Sequence, residues 1–363
     1  MHHMNKQTKK VFVGISGGVD SSVSAALLKE QGYDVTGIFI KVWQPPFLEC
    51  SIKDDRRDAM RVCAQLGIPF VECDAEEAYK TQVIDYMMRE YTLGRTPNPD
   101  VMCNKYVKFG VFYDWAMTQG ADYVATGHYA RTADGKLMKG IDAAKDQSYF
   151  LWAIGPEKLK KTLFPIGNIE KSKVRFLAEK YKLFTATKKD SQGLCFLGKL
   201  DVKDFLKKFI TPKIGDVLDV QGNKIGEHDG AFFFTLGERH GFRITEKRST
   251  EDAPLYVISK DVLANTITVA TRNNVEVSKA SQETRVQLTD VVMYNIEKIN
   301  DKACIKTAVY RYHGEEIPVK SVESVNDELV IILDGYRNDI AAGQSMLVYV
   351  NDEVVAAGIV NVI

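Results

Sequence analysis

Three short stretches hold the residue types from which chemistry could be built. The first is Val11-Phe12-Val13-Gly14-Ile15-Ser16-Gly17-Gly18-Val19-Asp20-Ser21-Ser22. The second is Gly94-Arg95-Thr96-Pro97-Asn98-Pro99-Asp100 with Cys103 just beyond it, and the third is Lys188-Lys189-Asp190-Ser191-Gln192-Gly193-Leu194-Cys195. In the first, β-branched Val11, Val13 and Ile15 read as a buried parallel strand. The glycines after Ser16 permit positive φ and close approach of the backbone to a ligand. Asp20, Ser21 and Ser22 then supply capping groups, and Val23, Ala26 and Leu27 give the apolar stripe of a helix. A strand, a glycine turn and a helix N-terminus present backbone N–H groups at the positive end of a helix dipole, which is a cradle for phosphate.

What is missing narrows the phosphate chemistry. No Gly-x4-Gly-Lys-Ser/Thr occurs; the nearest approach, Gly193 to Lys199, ends in Leu200, which has no hydroxyl for magnesium. Gly14-x-Ser16-x-Gly18 also fits a nucleophile elbow, but that turn needs strands before it, and this one lies on the first strand. A purely structural turn is the other reading. The six cysteines (Cys50, Cys63, Cys73, Cys103, Cys195, Cys304) form no C-x-x-C, which argues against a zinc ribbon or a disulfide framework.

The elements that must position these residues follow from pattern. Apolar runs begin at Val35, Phe70 and Asp122, and alternate with helical periods over 54–66, 76–91 and from Cys103 to about Gln119. Such alternation implies an α/β fold, a doubly wound parallel sheet with its ligand crevice at the strand C-terminal ends. Residues 131–152 read as an excursion with a turn at Asp134-Gly135. The character changes after Phe209. From about Pro254 short strands and turns alternate, with Asn351-Asp352 between two valine-rich runs, which reads as an antiparallel β-barrel. The expected organisation is a disordered tail with a cloning remnant over 1–10, a catalytic domain over 11–205, a small central domain over 206–275 and the barrel over 276–363.

With 363 residues, 45% hydrophobic and 26% charged, the composition is that of a globular protein with a sizeable core. No run of 18 apolar residues exists and no apolar signal segment precedes Val11, so a cytoplasmic protein without membrane contact is expected. The net charge is zero, yet residues 156–213 hold fifteen Lys and Arg against six acids, a surplus of nine. A surplus that large favours a phosphate-backbone surface over a merely solvated face.

Taken in order, SGGVDSS, GRTPNPDVMCNKYVKF, ATGHYAR, KDQSYFL, FPIG, KKDSQGLCFLG, TLGERHG and AGQSMLVY resemble the bacterial tRNA-specific 2-thiouridylases, members of the ATP pyrophosphatase class that splits ATP between its α- and β-phosphates. The resemblance spans nearly the whole chain. It implies an enzyme that adenylates C2–O of the wobble uridine with ATP, accompanied by Mg2+, and replaces the oxygen by sulfur. Its partners would be tRNA and a separate protein donating a persulfide, with no role for DNA. The loop Gly14, Ile15, Ser16, Gly17, Gly18, Val19, Asp20 and Ser21 would hold the nucleotide, bordered by Ile40 and Gly127. Cys195 would accept the persulfide, Cys103 would complete transfer or close a disulfide, and Asp100 would act as acid or base. Asn98, Pro99, Asp100, His128, Lys145, Asp146, Gln147, Arg311, Tyr312 and Gln344 match tRNA-contacting positions.

Physical reasoning runs alongside. A second thiol can resolve a persulfide, and the thiolate is the reactive form. Cys103, expected at a helix start beside Lys105, and Cys195, expected near Lys188 and Lys189, should both be activated. The other four cysteines read as structural. Two alternatives remain on sequence alone: an amide-forming ATP pyrophosphatase, which would leave both cysteines idle, and a non-catalytic RNA-binding protein.

Overall fold

The computed structural model describes residues 8–47, 51–190, 195, 202–245, 253–271, 283–325 and 328–362. Cys50 and most of the glycine-bearing loop around Cys195 lie outside these residues. Strands β1 (Lys10–Gly14), β2 (Asp34–Lys41), β3 (Phe70–Asp74) and β4 (Tyr123–Ala125) are followed by β5 (Ala130–Ala133), β6 (Lys136–Lys139) and β7 (Thr162–Leu163). A five-stranded parallel sheet forms in the order β3-β2-β1-β4-β7. Lys10, assigned to the tail on sequence, is already paired with Asp34 in this sheet. The two-residue β7 was missed on sequence because it is too short to show a period.

Both faces of the sheet are covered, as its continuous apolar runs require. One face packs Val11, Val13, Ile15, Val35 and Phe39 against Ala25 and Leu28 of α1 (Val19–Glu30) and Ala59 and Val62 of α2 (Ser51–Leu66). The other packs Ile38 and Ile40 against two long helices. Of these, α3 runs through Glu76–Tyr79, Lys80–Asp85 and Tyr86–Thr92 with helical dihedrals at each junction. The second, α4, runs likewise through Pro99–Met102, Cys103–Phe112 and Tyr113–Thr118. In both, the middle stretch has the i→i+5 pattern of a π-helix. Fully burying each of these Val, Ile or Phe side chains contributes roughly 1.5–3 kcal/mol relative to exposure.

The start of α4 differs from the sequence expectation. Asn98 is its N-cap, accepting the Val101 N–H at 3.2 Å, and Pro99 occupies the first helical position. There proline's missing N–H costs nothing and its fixed φ suits the helix. Cys103 therefore lies a full turn inside the helix, not at its mouth.

After α5 (Pro156–Leu159) and α6 (Lys171–Lys180), a middle sheet has the order β10-β9-β8-β12-β11. Its strands are β8 (Gly215–Leu218), β9 (Lys224–His228), β10 (Phe242–Ile244), β11 (Leu255–Asp261) and β12 (Thr266–Thr271). The strands read from Pro254 thus begin in this sheet, not in the barrel. The barrel is β13 (Thr284–Met293), β14 (Thr307–Val309), β15 (Ile317–Val325), β16 (Glu328–Leu333), β17 (Ser345–Val350) and β18 (Glu353–Val362), closed by β13–β18 pairing. The excursion is the β5–β6 hairpin, turning at Asp134 and Gly135 with φ of 50° and 80°. It adds itself to the barrel by pairing Met138 with Glu353 and Leu137 with Val354.

Candidate active site

The turn between β1 and α1 is built around glycine. Gly17 has φ +74°, and a Cβ there would lie 2.8 Å from the Asp55 carbonyl and 2.9 Å from Asp58 Cβ. Gly18 is the N-cap of α1 in extended conformation, and no side chain caps the helix. The Ser16 and Ser21 hydroxyls stand 3.3 Å apart, while Ser21 and Ser22 donate to the Gly18 carbonyl at 3.2 and 2.7 Å. At the strand ends, a Cβ on Gly14 would meet Ile40 at 3.7 Å and Thr126 at 3.8 Å. Gly127 is packed so tightly that a Cβ would sit 2.6 Å from Ser21 N. The residues assigned to nucleotide are thus brought together at the carboxyl ends of β1, β2 and β4, where doubly wound sheets bind ligands.

Charges from far along the chain surround this turn. Asp20 accepts the Tyr129 hydroxyl at 2.7 Å and the Lys171 ammonium at 2.8 and 2.9 Å. Lys171 also pairs with Asp190 at 2.8 Å, which binds Lys145 at 2.9 Å and Arg175 at 2.7 Å. Burial alone would raise the Asp190 pKa, but hydrogen bonds and charge from Lys171 and Lys145 draw it down to about 2. Lys188 donates to the Gly17 carbonyl at 3.1 Å and pairs with Asp55 and Asp58 at 3.2 and 2.9 Å. Two sequence expectations change here. Lys188 braces the β1–α1 turn instead of lying beside Cys195. The basic segment is also not a bare surface: among the described residues, eight of its cations (Lys158, Lys160, Lys171, Arg175, Lys180, Lys188, Lys203, Lys207) are ion-paired.

The thiol site lies on the α3–α4 side of the sheet. Cys103 is fully buried, and its thiol hydrogen-bonds with Cys195. Asp100 accepts the Cys195 N–H at 3.0 Å, and the Tyr79 hydroxyl donates to the Cys195 carbonyl at 2.8 Å. Tyr79, Met87, Pro99 and Asp100 line the small cavity at the two cysteines. The Lys108 ammonium hydrogen-bonds Cys195 and stands 3.4 Å from Nε2 of His128, whose Nδ1 is 2.7 Å from the Thr126 hydroxyl.

Electrostatics divides the two thiols. The hydrogen bond from Cys103 and then the Lys108 charge overcome burial and lower the Cys195 pKa to about 7. Burial and the adjacent Cys195 raise Cys103 well above an ordinary thiol. The expected activation of Cys103 by a helix start and Lys105 is therefore not found; Lys105 instead lies over the Tyr106 ring. Burial pushes Cys63 and Cys73 up to about 11, as suits packing residues. Asp100 is also raised, chiefly by burial, against the Cys195 N–H bond and Lys108.

The residues matched to tRNA contacts are placed unequally. His128 is 8% exposed, packed against Phe109 and Phe164, and held neutral by burial and Lys108. Asn98 caps α4 and hydrogen-bonds Tyr149, whose hydroxyl reaches the Ser345 and Tyr310 carbonyls of the barrel at 3.0 and 3.1 Å. Asp146 accepts from Gly140 N and Ser148 N, and Gln147 from Tyr129 N, so both brace turns. Arg311 joins the middle unit to the barrel through the Leu236 carbonyl at 3.0 Å and Asp339 at 3.3 Å. Tyr312 is exposed and its ring lies 4.4 Å from that of Phe150, tilted by 44°, while Gln344 accepts the Ala341 N–H at 3.0 Å. Sequence reasoning missed Lys108, Tyr79, Tyr129 and Lys171 as parts of these sites.

A parallel sheet ending in an uncapped serine–glycine turn, with a thiol pair nearby, defines a nucleotide-binding α/β protein equipped for sulfur chemistry. Residues 9–199 match the family model described as the tRNA methyl transferase HUP domain. Residues 203–271 match its PRC-barrel domain, and 284–360 the aminomethyltransferase beta-barrel domain. The tRNA-specific 2-thiouridylase MnmA of Francisella tularensis subsp. novicida (strain U112) is 42% identical over 365 residues, covering 98% of this chain and 99% of that protein. The same-named protein of Francisella philomiragia subsp. philomiragia is 42% identical over 362 residues, with the same coverage. A solved 4-thiouridine synthetase–RNA complex with bound ATP overlaps 55% of this chain and 50% of that one, at TM-score 0.37 and 19% identity. The chain belongs to the tRNA-specific 2-thiouridylase family.

Proposed function

We propose that this protein uses ATP to replace O2 of the wobble uridine of tRNA by sulfur. The observation that supports it most is the contact between two thiols 92 positions apart in the chain: Cys103 and Cys195 are hydrogen-bonded to each other, with Asp100 and Lys108 beside them. A second thiol in contact can resolve a persulfide carried on the first. An amide-forming synthetase would have no use for the pair.

ATP is a substrate, and its phosphates fit the turn of Ser16 to Ser21, where the α1 dipole and Lys171 offset their charge. The uracil C2 oxygen attacks the α-phosphate, and pyrophosphate leaves. That step turns a poor electrophile into one with AMP as leaving group. A Mg2+ ion travelling with the nucleotide would meet Asp20 at the turn. Cys195 thiolate takes the terminal sulfur of a donor persulfide, which leaves as a thiol. The Cys195 persulfide then attacks C2 and AMP departs. Cys103 loses its proton, attacks Cys195 Sγ and releases the thiocarbonyl; the two cysteines end as a disulfide, having given two electrons to the transferred sulfur. Asp100, with its raised pKa, stands beside the sulfurs as the acid or base.

The test combines unmodified tRNA, ATP and a low-molecular-weight persulfide with the full chain, and reads nucleosides by mass spectrometry. The expected product is 2-thiouridine with one AMP and one pyrophosphate per sulfur. Adenylation without thiolation at any persulfide concentration would reject the sulfur-transfer half.

A further inference from the structure

We infer that Lys108 is a further catalytic residue of the thiol site, the cation that keeps Cys195 as the thiolate attacking the persulfide, with His128 as its positioning partner. The inference rests on the sulfur-transfer reading above. Cys103 is the strongest influence on Cys195, but its S–H is neutral and brings no countercharge. The groups facing Cys195 are Cys103 and Asp100 of α4, Tyr79 of α3 and Lys108 of α4. Cys103, Asp100 and Tyr79 are acids whose ionisation would oppose a second negative charge. Lys108 is the one cation that acts on the pair among the described residues. A buried anion without a partner cation would instead take up a proton.

Burial should favour loss of the Lys108 proton, yet the adjacent sulfurs and Asp100 hold it on. His128 fixes where that charge sits. Its ring is buried between Phe109 and Phe164, and burial and Lys108 keep it neutral. With Nδ1–H donating to Thr126 Oγ1, Nε2 is left to accept from the ammonium 3.4 Å away. The step conserves charge. Cys195 sulfur forms a bond to the terminal sulfur of R–S–SH, the donor S–S bond breaks, and R–S⁻ departs. The proton stays on the transferred sulfur, and the anion passes from Cys195 to the leaving donor.

The experiment measures iodoacetamide alkylation of Cys195 in the full chain against pH, read as its peptide by mass spectrometry. Wild type should show half-maximal reactivity near pH 7, following the Cys195 thiolate. Lys108→Met should move the midpoint up by roughly 1–3 pH units, the size of effect an adjacent opposite charge exerts. Reactivity at neutral pH then falls roughly tenfold or more, since the thiolate is the reacting form. Lys108→Arg should keep most of the wild-type profile, and His128→Leu should move it in the same direction by less. Lys108→Gln gives the same reading if the methionine variant does not fold. A Lys108→Met or Lys108→Gln profile that overlays wild type overturns the assignment. The two readings fail separately: a shifted midpoint with no 2-thiouridine from wild type sinks the sulfur transfer, and the catalytic role with it, and leaves standing only Lys108 as the cation that holds the Cys195 thiolate.

Discussion

The β1–α1 turn and the thiol site stand on opposite terms with the sequence. The turn is made by contiguous residues, Gly14 to Ser22, whose backbone does the work, and distant side chains such as Lys171 and Lys188 brace it. At the thiol site the side chains themselves come from α4, from α3 and from Cys195, which is 92 positions beyond Cys103. A site made of backbone tolerates changes in its surroundings gradually; one made of two sulfurs fails all at once. The segment Thr126-Gly127-His128 joins them, with Gly127 against Ser21 on one side and His128 beside Lys108 on the other.

The largest effects should come from the sulfurs. Cys195→Ser should take up no labelled persulfide sulfur and make no 2-thiouridine, because serine forms no S–S bond. Cys103→Ser should accept sulfur but complete no turnover. Both should still release pyrophosphate, as neither residue touches the turn. Label retained on Cys195→Ser, or full thiolation by Cys103→Ser, would reverse or remove the roles.

Gly127→Ala strikes the hinge between the two sites. Its methyl would meet Ser21 N at 2.6 Å and Asp20 C at 2.7 Å, both backbone atoms, so the start of α1 must shift. Displacements of that order cost about 10²-fold in rate, and AMP formation should fall by that much. Cys195 alkylation should be nearly unchanged. An equal loss at both sites would mean that they are one site and that the comparison above is wrong.

How much of this was legible follows from the same contrast. Val11 to Ser22 announces strand, turn and helix through residues in sequence contact, so the turn and the parallel sheet could be read directly. The cation at the thiol site could not. In an α-helix at 3.6 residues per turn, Lys108 would point about 140° away from Cys103. The i→i+5 pattern of Cys103–Phe112 closes much of that angle, and nothing in the residue types foretells it. The acids that neutralise the basic segment were equally hidden, since Lys188 finds Asp58 across 130 positions.

That neutralisation yields a smaller effect. Lys171 is 13% exposed and bound to Asp20, so Lys171→Glu should impair ATP cleavage and leave the salt dependence of tRNA binding alone. Lys173, over the Phe176 ring, has no carboxylate partner among the described ion pairs. If it meets a phosphate, Lys173→Glu should flatten the slope of log K against log salt by about one. Titration of tRNA binding at several salt concentrations decides it, and the reverse pattern would restore the basic helix as an RNA surface.

The smallest predicted effect tests how the domains hold the loop before α4. Thr96 sits two residues before Asn98, and its backbone N–H donates to Ala342 of the barrel at 2.8 Å. Its hydroxyl lies 3.1 Å from that of Thr235 in the middle unit. Close by, Gly94 would place a Cβ 2.6 Å from Val262. The loop carrying Asn98 and Asp100 is thus pinned from both downstream units. Thr96→Val keeps shape and the backbone bond but deletes one partly buried hydrogen bond, worth about 0.5–1.5 kcal/mol net. Thermal unfolding should show a loss of that size, while pyrophosphate release stays within about twofold because the β1–α1 turn is untouched. Since Asp100 accepts the Cys195 N–H, a looser loop should also slow sulfur transfer by a few-fold. Thr235→Val should do the same, and the double variant should be no worse than either single one, as expected for two ends of one bond. Additive losses would show that the hydroxyls act independently and that this contact does not hold the loop.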